Sequence, residues 1–125
     1  MYSIGIISEL AAETKEGWFI GRFLKKDDPW FSKKFEVAFQ VLKSDMKAEV
    51  ISHAHQYIEE ITLVLKGCLR VEVDGQKIEL KAGEIILVKP RTSTKRIGAD
   101  DATELLVFKT PSLSQDKYFT NGQAK

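Results

Sequence analysis

Apolar and polar residues alternate along much of this chain. In Phe35–Lys43 (FEVAFQVLK), Phe35, Val37, Phe39 and Val41 fall on one face and Glu36, Ala38, Gln40 and Leu42 on the other. That period of two is the signature of a half-buried strand. Ala48–His55 is a second strand, with Ile51, His53 and His55 on one face. Glu59–Leu65 is apolar on both faces, as expected of a strand between two packed layers. Cys68–Val73 places Leu69, Val71 and Val73 together; Asp74-Gly75 then supplies a two-residue hairpin turn, and Gln76–Leu80 returns. Lys81-Ala82-Gly83 turns into a strand at Glu84–Lys89 that Pro90 ends. Pro90–Lys95 reads as a polar loop and Thr103–Lys109 as the last strand. Upstream, Trp18–Leu24 is aromatic and β-rich, with Gly21 marking a bulge or a close backbone approach.

About eight short strands, joined by turns at this spacing, predict a single all-β sandwich or barrel. No segment sustains an amphipathic helix over three turns. Ser8–Glu13 supports one helical turn with Ser8 as its cap. Residues 1–17 read as an arm that lies on the barrel or is exchanged with a second subunit. Residues 18–109 form the barrel, and 110–125 an irregular polar tail from which Tyr118-Phe119 packs back.

Composition narrows the function classes. The 125 residues fit one domain, 43% hydrophobic and 30% charged, with a formal charge of +1. A near-neutral balance with scattered lysines argues against nucleic acid as a partner. No stretch approaches the roughly 20 apolar residues that span a bilayer, and no secretory leader is visible. The single Cys68 forms no internal disulfide. The cytoplasm is the default compartment.

The chemistry concentrates in Ile51–Gly67. Both histidines of the chain, His53 and His55, are here, separated by one residue. In a strand, residues i and i+2 share a face, so the two imidazoles point at one place. Glu59 or Glu60 on the next strand offers a carboxylate, and two His with a carboxylate is a metal-ligand set. Arg70, Arg91 and Arg96 read as solvated surface residues, though each has a guanidinium suited to phosphate. Cys68 alternates with Arg70 and Glu72, away from Leu69 and Val71, with no activating neighbour in view.

With these residues the chain resembles the cupin family, whose first motif runs His-x-His, three or four residues, Glu, six residues, Gly. Here His53-Ala54-His55 is followed by four residues, Glu60, six residues and Gly67. Glu60 meets both spacings; Glu59 meets only the first. The second motif departs from the family pattern. Thr92 stands where a Gly follows Pro, and Lys95 where the third histidine belongs. The resemblance implies a double-stranded β-helix, or jelly roll, of two antiparallel sheets that pairs as a homodimer. It implies a divalent metal (Fe, Mn, Ni or Zn) held in the lumen by His53, His55 and Glu60. Lys95 and Arg91 would stand at the rim and meet a small polar or anionic ligand, and oxygenase chemistry would suit that ligand set. Two other readings stay open. One is a metal-free enzyme similar to nucleotide-sugar isomerases and epimerases, with His53 or His55 as general base and Lys95 stabilising negative charge. The other is a non-catalytic small-molecule binder.

Overall fold

The computed structural model describes residues 1–122. It comprises a short helix α1 (Ile7–Ala12), a 3-10 turn at Lys15–Gly17 and ten strands: β1 (Trp18–Ile20), β2 (Glu36–Leu42), β3 (Ser52–His55), β4 (Glu59–Lys66), β5 (Cys68–Val73), β6 (Gln76–Lys81), β7 (Ile85–Val88), β8 (Thr94–Ala99), β9 (Thr103–Thr110) and β10 (Lys117–Thr120). They form two five-stranded sheets, ordered β1-β2-β9-β4-β7 and β10-β3-β8-β5-β6. All pairings between these strands are antiparallel. The all-β architecture expected from the alternation is observed, and its two antiparallel sheets form the jelly roll that the family resemblance implies.

The sheets close over a core to which each contributes. Ala38, Val64, Leu105 and Val107 come from the first sheet, and Leu69, Val71, Leu80 and Ala99 from the second. A smaller cluster of Ala11, Phe19 and Val37 joins α1 to the other face of the first sheet. The two faces of β2 thus serve different layers, Ala38 inside the barrel and Val37 beneath the helix. The helix begins at Ile7 with Ile6 as its N-cap, so Ser8 lies inside it and caps nothing.

The hairpin at Asp74-Gly75 forms as the sequence predicts, with φ of 47° and 83°, the left-handed pair that a tight two-residue turn requires. Gly67 is needed for a different reason. Its φ is +82°, and an added Cβ would lie 2.3 Å from Thr103 Oγ1. That buried hydroxyl accepts the Cys68 N–H at 3.1 Å and sits 2.8 Å from the Asp100 carbonyl. The β4–β5 turn and the start of β9 are locked together there.

Two strands differ from the sequence reading. The stretch read as polar loop runs into β8, which pairs with β5 and touches β3 through His53–Thr94. The tail is not wholly irregular: β10 pairs with β3 residue by residue, from Lys117–His55 to Thr120–Ser52. The register of β8 skips from Val71–Arg96 to Arg70–Gly98. Ile97 is therefore the extra residue of a β-bulge. Cross-strand partners share a face, so Thr94 and Arg96 lie with Val73 and Val71 on the inner side. Lys95 lies with Glu72 on the outer side.

Candidate metal centre

Strand β3 carries both imidazoles to the lumen, and their rings meet edge to face with centroids 5.5 Å apart. The next strand, β4, brings Glu60. Its Oε2 is 3.3 Å from His55 Nε2. One donor atom from each of His53, His55 and Glu60 lies within 4.8 Å of the others. Glu59 points away and meets Lys89 Nζ at 3.4 Å. The alternation of β4 puts Thr62 and Val64, both buried, on the same side as Glu60.

Two further carboxylates flank the imidazoles. Asp116, buried just ahead of β10, accepts the backbone N–H groups of Tyr57 and Ile58 at 3.1 and 3.0 Å. Its Oδ2 stands 3.8 Å from His55 Nδ1. Glu49 accepts the Arg96 N–H through Oε1 at 2.8 Å and presents Oε2 3.9 Å from His53 Nδ1. Neither residue belongs to a spacing motif, so the sequence reading did not include them. Arg96 is placed differently from its sequence reading. Read from the sequence as a solvated surface residue, it lies in the lumen, where burial works against its charge and the carboxylates of Glu60 and Glu49 sustain it.

Lys95 does not occupy the place of a third lumenal ligand. The bulge at Ile97 turns it outward, and its ammonium meets Glu72 Oε2 at 3.2 Å. Arg91 is exposed, and its backbone N–H donates to the His55 carbonyl at 2.7 Å, which braces the end of β3. Cys68 is a buried free thiol, 3.7 Å from Arg70, with its pKa raised by burial. It has no place in the cluster.

The electrostatics favour the ligand forms of His53 and Glu60. Burial, reinforced by the positive charge of Lys117, lowers the His53 pKa, while Glu49 and Glu60 oppose the shift. Burial raises that of Glu60, but His55, Lys109 and Arg96 outweigh it and keep the carboxyl below its usual range. Neutral imidazole and ionised carboxylate are the states that bind a cation. His53 Nδ1 and both ring nitrogens of His55 are buried without a hydrogen-bond partner. Such atoms are rare and call for a reason; a divalent cation would engage one nitrogen of each ring, leaving the other free to face a carboxylate, and two His with a carboxylate suit it chemically.

The cluster opens on a cavity of about 690 Å³. Trp18, Leu42, Met46 and Val107 form an apolar wall, and Ser8, Ala11 and Ala12 of α1 stand over it. Its charged lining residues are Glu16, Glu49, Glu60, Arg96, Lys109 and Lys117. Lys109 Nζ lies 4.6 Å from the centre of the Trp18 ring, a cation–π distance.

The cupin domain family matches residues 41–106. No curated protein matches the sequence. Among solved structures, a protein from Planctomyces limnophilus is similar over 95% of this chain and 97% of its own, with a TM-score of 0.68 and 18% identity. Pac13, a nucleoside dehydratase from Streptomyces, is similar over 71% of this chain and 70% of its own, with a TM-score of 0.61 and 14% identity. A cupin protein from Bacteroides fragilis shares 24% identity, with a TM-score of 0.55, over 70% of this chain and 74% of its own. At these identities the likeness is one of fold. No helix among the described residues is long and apolar enough to cross a membrane.

Proposed function

The chain belongs to the cupin domain family, and from that premise we propose that it holds a divalent metal at His53, His55 and Glu60 and binds a small anionic molecule in the adjoining cavity. The observation that carries this reading is the convergence of three donor atoms within 4.8 Å around imidazoles that face carboxylates but are without a hydrogen bond at His53 Nδ1 and both His55 nitrogens among the described residues. Asp116 beside His55 Nδ1 is placed to orient the ring, as a carboxylate behind a metal-binding histidine commonly does. Three protein ligands leave coordination positions for substrate or water. Iron would supply oxygenase-type redox chemistry, whereas zinc, manganese or nickel would supply Lewis acidity. Elemental analysis of untagged protein supplied in turn with Fe, Mn, Ni and Zn tests the reading. Near-stoichiometric metal in the wild type and loss in His53→Ala are expected; a wild type that takes up none of the four defeats it.

One observation favours a second, metal-free reading. His55 lies between two carboxylates, Glu60 at 3.3 Å and Asp116 at 3.8 Å. That arrangement suits an imidazole moving a proton to or from a bound molecule. On that reading turnover persists in excess chelator.

A homodimer is part of the same proposal. Tyr2, Ile4 and Ile6 are exposed ahead of α1, and Ile85 and Leu87 are exposed on β7, the free edge of the first sheet. Apolar edges of this kind pair with another chain unless protected. Light scattering should report a dimer that Ile85→Lys combined with Ile4→Asp disperses.

A further inference from the structure

Arg96 differs from the other cavity cations in that its guanidinium pairs directly with no protein group among the described residues, although Glu60 and Glu49 stand near enough to sustain its charge. Lys109 stacks on Trp18, and Lys117 lies 5.8 Å from the Phe119 ring. Outside the cavity, Arg70 pairs with Asp100 at 3.0 Å and Arg22 donates to the Ser112 carbonyl at 3.1 Å. The Arg96 guanidinium makes no hydrogen bond or ion pair among the described residues, although its backbone N–H is held by Glu49. Arg96 is half-buried, and its guanidinium, with five rigid donors, faces the cavity beside His53 and Glu60.

The remaining lining defines what completes it. Arg96, Lys109 and Lys117 match Glu16, Glu49 and Glu60 in number, so the cavity walls carry little net charge. Two of those carboxylates, Glu49 and Glu60, flank the Arg96 end, which disfavours a dianion there and favours a single planar anion on the guanidinium fork. Trp18, Leu42, Met46 and Val107 require an apolar body beyond that head. A volume of about 690 Å³ lies within the roughly 300–1,000 Å³ of small-molecule sites.

We infer that Arg96 is the anion anchor of the lumen and that the ligand is an amphipathic monocarboxylate, its carboxylate on Arg96 and its apolar body against Trp18, Leu42 and Met46. This rests on the cavity being the ligand site proposed above, but not on the metal. Lys95, which the sequence suggested for this role, faces the other side of the sheet.

The test uses the full chain, stripped with chelator and, separately, reloaded with zinc, with metal content measured on both. Phenylacetate, its neutral isostere phenylacetamide, phenyl phosphate and acetate are titrated calorimetrically. Phenylacetate should bind about ten- to a hundredfold tighter than phenylacetamide, the range of one charge-assisted fork. It should also bind tighter than phenyl phosphate and acetate, and Arg96→Gln should abolish its preference over the amide. Equal binding of acid and amide by the wild type, or a preference that survives Arg96→Gln, overturns the inference. In the wild type, where no variant has to fold, phenylacetate should protect Arg96 but not Arg91 from phenylglyoxal in peptide mass spectra; unprotected Arg96 also overturns it. A carboxylate preference in metal-free protein separates this inference from the metal reading. A preference that appears only after zinc loading and survives Arg96→Gln assigns the anchor to the metal.

Discussion

Asp116, just ahead of β10, and His55, at the end of β3, are joined through one carboxylate that serves two purposes. It accepts the N–H groups of Tyr57 and Ile58 and sets Oδ2 3.8 Å from His55 Nδ1. The turn after β3 and the orientation of a proposed ligand therefore depend on the same side chain. Asp116→Ala strands two backbone donors, a cost of about 1–3 kcal/mol for each one that stays buried and unpaired. It should also weaken metal affinity by about 10- to 100-fold. Denaturant unfolding and metal titration separate the effects. A variant that loses stability but keeps full affinity would confine Asp116 to the turn.

Lys95 and Arg96 are neighbours in sequence on opposite faces of β8. Lys95→His should leave metal affinity unchanged, because the new imidazole faces Glu72. Arg96→His removes a cation from the lumen and adds a donor there, so affinity should rise further than with Arg96→Gln. A competition titration against a coloured chelator measures all three. A gain with Lys95→His would mean that the bulge at Ile97 does not set the register described.

Gly67→Ala should destabilise the protein by roughly 1–3 kcal/mol, from left-handed backbone strain and from contact with Thr103. A calorimetric scan should show Tm falling by on the order of 5–10 °C. Gly75→Ala meets nothing within 4 Å of the added Cβ, so backbone strain alone should act and the loss should be smaller. Equal losses would remove Thr103 from the explanation.

Burial raises the Cys68 pKa, so at pH 8 the folded protein holds less of the reactive thiolate than a free cysteine does. Iodoacetamide should label it at least about ten times more slowly than a free thiol, and the difference should vanish in urea. Labelling of the folded protein at the free rate would show the thiol to be accessible.

The strands with clean alternation were legible because one face of each meets a layer of apolar side chains. Glu36–Leu42, Cys68–Val73 and Thr103–Thr110 fall within a residue of where the pattern puts them. The His-x-His pair was legible for the same reason, since period two alone aims both rings one way. β8 was hidden because its inward residues are Thr94 and Arg96, which read as solvent-facing, and because the bulge at Ile97 shifts the period by one. β10 was hidden by its four-residue length and its exposed Phe119. Asp116 could not be found from local spacing, because it reaches His55 from a loop distant in sequence; Glu49 stands only four residues before His53, but it lies ahead of β3, where a period of two does not orient it.

The pairing of β10 with β3 also has a consequence in time. Until Lys117–Thr120 has been synthesised, β3 is held by one register position on β8, His53–Thr94, and by the Arg91 N–H on the His55 carbonyl. The strand that carries both imidazoles is then an unprotected edge, and Asp116 has not yet reached His55. Contacts this far apart in sequence form late and slowly. Completion of the cluster is therefore coupled to the end of barrel folding, and a chain cut before Asp116 would keep the first sheet's strands but leave its histidines on an open, aggregation-prone margin.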